Sequence, residues 1–152
     1  MRQGGHTLVE AVTVVLILGA LASVAVIRMH PDLLPGVRAD GAVRQIATDL
    51  RRTRSEALLH AARNPAGFAL VMEGRPPWRH YRIIDLSKST TVDRGEIARE
   101  VRCVGGQRFA FGPLGNLTED SDLELHLSTD GRDYALEIVP ATGAVTWTRR
   151  DQ

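Results

Sequence analysis

The chain has 152 residues, with 19 Lys+Arg against 18 Asp+Glu and a net charge of +1. That length suits one domain and hardly two, and the charge balance excludes a polybasic nucleic-acid protein and an acidic disordered chain. A single cysteine, Cys103, excludes an intrachain disulfide framework and a Cys-based zinc cage.

The apolar residues are concentrated at the start. From Ala11 to Ile27 no residue is charged, and Glu10 alone interrupts the stretch that begins at Thr7. A helix needs about 20 apolar residues to cross a bilayer at ~1.5 Å per residue. Arg2 precedes the stretch and Arg28 follows it. Three readings compete: a cleaved secretory signal with Ala20-Leu21-Ala22 as its site, a plain transmembrane anchor, and an assembling helix in which Glu10 has a partner. An isolated carboxylate costs roughly 2.5–3.5 kcal/mol at mid-membrane, so a plain anchor has no reason to keep Glu10.

Gly5-His6-Thr7-Leu8-Val9-Glu10 resembles the class III signal of type IV prepilins and type II secretion pseudopilins. That signal is Gly, a residue usually Phe, then Thr-Leu-x-Glu, and Gly19 matches a Gly common in the family's apolar helix. The resemblance implies cleavage by prepilin peptidase between Gly5 and His6, and methylation of the new amino terminus at His6. It implies a leader over 1–5 and a transmembrane and fibre-core helix over 6–29. It also implies a single span in the cytoplasmic membrane, with the C-terminal domain in the periplasm. The freed α-amino group is protonated near neutral pH. Paired with Glu10 of a neighbouring subunit, it costs far less in low dielectric than two isolated charges, and so sets an axial register.

Pro31, Pro35 and Gly36 predict a helix break over 30–38, and a head domain over 39–152. Val43, Ile46, Ala47, Leu50, Ala57, Leu58 and Ala61 fall on one face of a helix over 39–63, with Asp40 as its N-cap and Arg54 on the same stripe. The other arginines of this helix read as a solvated face, and Arg54 reads as that or as the partner of a sheet carboxylate.

The rest reads as strands. Phe68–Met72 follows the Pro65-Ala66-Gly67 break, and Trp78–Leu86 alternates in part. Ile97–Val104 and Arg108–Phe111 flank Gly105-Gly106 as a hairpin. Leu123–Leu127, Tyr134–Val139 and Ala144–Thr148 follow, separated by turns. Tight connections predict antiparallel pairing. Periodicity gives an α+β fold class, a helix packed on an antiparallel sheet, and the resemblance implies that it is pilin-like, with a long N-terminal hydrophobic helix ahead of that helix. The segment Asp49–Leu58, the Phe111–Gly115 break and the closing Pro140–Val145 hairpin resemble GspH/FimT-like pseudopilins.

Motifs for catalysis are absent. His6, His30, His60, His80 and His126 show no metal-ligand spacing, and no nucleophile elbow or phosphate loop is present. Cys103 sits in an apolar strand context and reads as a core residue. Glu119, Asp120, Asp122 and Glu124 read as a solvated loop or a calcium site. Between Arg51 and Arg108 there are 12 basic and six acidic residues, and after Arg108 three basic and eight acidic. Subunits stacking basic face on acidic face would use that asymmetry. Arg75, Arg79 and Arg82, interleaved with Trp78 and Tyr81, and the terminal Arg149 and Arg150 are candidate nucleic-acid contacts.

The resulting expectation is a non-enzymatic minor pseudopilin of a type II secretion pseudopilus, with no metal and no cofactor. Its partners would be other pseudopilins or pilins, prepilin peptidase and, through the N-terminal helix, the membrane. The alternatives are a FimT-like minor type IV pilin that binds DNA, and a secreted binding domain with an ordinary signal peptide.

Overall fold

The computed structural model describes residues 8–29, 33–129 and 131–150. The chain divides into two compact units, Met1–Leu34 and Pro35–Gln152.

In the first unit, α1 runs over Leu8–Met29. Among the described residues, no helix is long and apolar enough to cross a membrane. The carboxylate of Glu10 stands in the first turn of α1. The expected transmembrane helix, the single-pass topology and the cytoplasmic-membrane location are corrected on this finding.

Helix α2 spans Leu33–Leu59, starting well before Ala39. Pro35 does not prevent this. It occupies the first turn, where backbone N–H groups lack intrahelical acceptors in any case. Asp40 is accordingly a residue of the helix and not its N-cap.

Among its described residues the second unit holds eight strands: β1 Phe68–Glu73, β2 His80–Asp85, β3 Thr90–Glu96, β4 Arg102–Gly105, β5 Arg108–Phe111, β6 Glu124–Thr129, β7 Arg132–Ile138 and β8 Val145–Arg150. They form two antiparallel four-stranded sheets, ordered β3-β2-β1-β5 and β4-β6-β7-β8. This corrects the expected fold class of a helix on one antiparallel sheet. The physical reason lies at Gly105-Gly106. These residues do not close a β4–β5 hairpin: β4 pairs with β6, and β5 pairs with β1. The glycine pair is the crossover between sheets. Gly105 has φ +111°, and a side chain at Gly106 would collide with Asp122 and Phe109.

One core joins α2 to both sheets. Val43, Ile46, Ala47, Leu50 and Ala57 of α2 are buried with Phe68, Leu70, Met72, Tyr81 and Ile83 of the first sheet. They also cluster with Cys103, Leu125, Leu127, Tyr134, Leu136 and Ile138 of the second. Each large apolar side chain so buried contributes roughly 1.5–3 kcal/mol. Thr53 completes the α2 stripe although it is polar, because its hydroxyl donates back to the Asp49 carbonyl at 2.7 Å.

Polar side chains of α2 fix its seat. The Tyr81 hydroxyl donates to Asp49, and Gln45 donates to the Tyr81 oxygen at 3.2 Å. From the second sheet, Tyr134 donates to Asp40, and Arg132 reaches the same carboxylate at 3.3 Å. Arg51 donates to the Val145 carbonyl at 2.9 Å, Arg52 to Asp93 at 2.6 Å, and Arg54 to the Gly115 carbonyl at 3.1 Å. Arg51 and Arg52 are exposed, as a solvated face requires, and also tie the helix to the body. Arg54 takes a backbone carbonyl and not a sheet carboxylate.

Candidate functional site

Gly5 and His6, the expected cleavage and methylation positions, lie outside the described residues. Glu10 is in the first turn of α1 and exposed. Beyond it the described side chains of α1 are apolar and exposed on every side: Val12, Val14, Val15, Leu16, Ile17, Leu18 and Leu21 are each at least 50% accessible. Thr13, also on this stretch, turns its hydroxyl inward to the Val9 carbonyl at 2.8 Å, so it adds little polarity. A helix that is apolar all round is found where other structure covers it.

The candidate nucleic-acid residues do not converge on one surface. Arg75 lies in the β1–β2 connection. Arg79 is spent on the chain itself, donating to the carbonyls of Ala98 and Val101 at 3.2 and 2.8 Å. Arg82 is on the face of the first sheet opposite to α2, with Glu73 at 3.4 Å. Arg149 and Arg150 end β8 in the second sheet, on opposite faces of the strand. The interleaved aromatics offer no stacking surface: Trp78 is buried with its indole N–H on the Gly105 carbonyl, and Tyr81 is buried against α2.

Among the described residues no group of three or more His, Cys, Asp or Glu side chains is placed to hold a metal ion. The acidic cluster is partly engaged. Asp122 accepts the backbone N–H groups of Gln107 and Arg108 at 2.7 and 3.0 Å, anchoring the start of β5. Asp120 accepts from Thr118 and Arg108, which hold its carboxyl below the usual range. Cys103 is fully buried, and burial pushes its thiol up to about 12.

Sequence reasoning did not find one cleft, of about 470 Å³, between the end of α2 and the β2–β3 turn, lined by Glu56, His60, Asn64, Asp85, Lys88 and Val92 among others. Its buried polar groups are already matched. Asp85 Oδ1 accepts from the Asn64 amide and from the N–H groups of Ser87 and Lys88, while Asn64 also holds both backbone groups of Gly67. The network fixes two turns, and among the described residues no buried side-chain polar atom lining the cleft lacks a hydrogen bond.

Comparison of the chain with protein-family models, with curated proteins and with solved structures finds no match.

Proposed function

We propose that the protein is a minor pseudopilin, a structural subunit of a type II secretion pseudopilus. It is processed by prepilin peptidase between Gly5 and His6 and assembled through α1. The observation that supports this reading is the continuity of the Gly5–Glu10 motif with a helix whose apolar side chains are exposed all round. Packing against the equivalent helices of neighbouring subunits removes that surface from water, at about 25 cal/mol per Å² buried. The second unit encloses its core with its own residues, so the head needs nothing from such packing in order to fold.

In this reading cleavage creates a cationic amino terminus at His6, which pairs with Glu10 of the adjacent subunit and fixes the stagger between them. The test is amino-terminal sequencing of the chain produced together with a prepilin peptidase. A start at His6, with a methylated amine, is expected. A start at Ser23, or an intact Met1, overturns the reading.

A further inference from the structure

The outward faces of the two sheets carry like-charge rows of opposite sign. In the first sheet, strand register aligns Arg94, Arg82, Val71 and Arg108 in one row across β3, β2, β1 and β5. Their neighbours along each strand, Tyr81, Ile83, Leu70, Met72 and Phe109, point the other way into the core. In the second sheet, Glu124 of β6 stands directly opposite Glu137 of β7, on the face away from buried Leu125 and Leu136. Directly opposed like charges destabilise a sheet. The fold carries one such pair, Arg82–Arg94, on one sheet and another, Glu124–Glu137, on the other.

Internal partners quench these rows only in part. Arg108 has Asp120 at 3.1 Å, and Glu124 has His126 at 3.5 Å. Arg82 Nε is buried without a hydrogen bond, although Glu73 lies 3.4 Å away. Arg94 and Glu137 have no ion-pair partner among the described residues.

The two faces also match in layout. Beside the arginine row lies Thr91, Ile84, Ala69 and Ala110, and beside the glutamate row lies Val104, His126, Ala135 and Thr148. Both charged pairs are spaced by the same interstrand distance, ~4.8 Å, and the charged and less polar rows are separated by the same two-residue step, ~6.8 Å. With arginines set on glutamates, Thr91 and Ile84 come to the row of Val104, His126 and Thr148, while Ala69, Ala110 and Ala135 are already buried within the head. The remaining rows, Glu73–His80–Glu96 on one face and Arg102–Ser128–Asp133–Arg150 on the other, fall at opposite ends and do not oppose each other.

We propose that the outward face of the first sheet docks on the outward face of the second sheet in another copy of this chain, Arg82 and Arg94 meeting Glu124 and Glu137. The contact joins two different patches, so it is heterologous and repeats head to tail, into a ring or an open filament according to its rotation. It involves only the head and goes beyond the assembly through α1 proposed above. The patches are small beside a stable interface, so the contact is weak alone and acts between subunits already held close.

Site-directed cross-linking captures such a contact. Thr91→Cys and Thr148→Cys place thiols in the two rows that the docking brings together and leave the charged rows intact. Full-length chains carrying one or the other are mixed in a detergent that covers α1, and then oxidised. Buried Cys103 gives no background. The expected result is preferential 91–148 cross-linking over 91–91 and 148–148, suppressed at about 1 M salt, where the Debye length is ~3 Å. Arg82→Glu with Arg94→Glu, or Glu124→Arg with Glu137→Arg, abolishes the preference. All four reversals in both chains restore it, which a misfolded variant cannot do. A statistical mixture of the three products, as association through α1 alone gives, overturns the proposal. So does failure of the fourfold reversal to restore the preference.

Discussion

Tyr81 and Gly95 are cross-strand partners, and the Tyr81 ring fills the space that a side chain at position 95 needs. The absence of a Cβ there lets the ring lie against β3 and carry its hydroxyl to Asp49 on α2. A glycine in an edge strand thus decides how the helix is seated. Gly95→Ala forces the ring off this position and destabilises the fold by about 1–3 kcal/mol. Urea unfolding checks it, and an unchanged midpoint sinks the packing argument.

The same tyrosine makes stability sensitive to alkali. Burial first, and then the hydrogen bond to Asp49, hold the Tyr81 phenol above its ordinary value. Tyr134 is raised for the same two reasons, with Asp40 as its partner. A raised folded-state pKa gives stability that is fully present below the unfolded value of about 10 and is lost as pH rises through the folded one. Stability therefore falls above about pH 10, and the fall is shallower in Tyr81→Phe. Equal slopes for the two proteins would refute the assignment to Tyr81.

Two glycines with similar backbone angles separate strain from collision. Gly131 has φ +81° with open space around it, and Gly143 has φ +65° with the Gly115 carbonyl and the Arg54 side chain where a Cβ would go. Gly131→Ala costs about 1–2 kcal/mol, the left-handed penalty alone. Gly143→Ala costs clearly more, because the β7–β8 turn must also move off Arg54 and Gly115. Thermal unfolding of the pair checks the order.

Cys103 is expected to be inert in the folded protein. Burial raises its thiol to about 12, with Arg79 drawing it slightly down, and no part of the side chain is exposed. A thiol reagent at about pH 8 should label the urea-unfolded chain at once and the native chain only as it opens. Stoichiometric labelling within mixing time contradicts the burial.

The Glu10→Ala substitution tests the register role assigned to that carboxylate. The head has its own core, so the variant keeps the wild-type unfolding midpoint. Its incorporation into fibres should fall when it competes with wild-type subunits. Equal incorporation refutes the role.

The α2 stripe was legible in the sequence because Val43, Ile46, Ala47, Leu50 and Ala57 keep one helical period and are all buried. Strand β1 was legible as an apolar run after the Pro65-Ala66-Gly67 break, β6 from strict alternation, and β7 from the turns that bound it. Strand β3 was not: Thr90–Glu96 is an edge strand, largely exposed, with Val92 bulged out of register, so its residues carry no apolar period. The split into two sheets was hidden because a Gly-Gly pair between strands reads locally as a turn, whereas partner choice depends on residues far along the chain. The partners of Arg51 and Arg54 were hidden for a related reason. They are backbone carbonyls, and every residue has one.

Asp40 and Asp49 lie about 13 Å apart along α2 at ~1.5 Å per residue, and each is gripped by a tyrosine from a different sheet. A force along the helix axis therefore loads both grips at once, in shear, and the arginine contacts to Val145 and Gly115 with them. The helix cannot be drawn out one contact at a time. It is a strut bonded on two sides, suited to transmitting push or pull to the whole head without unravelling either sheet.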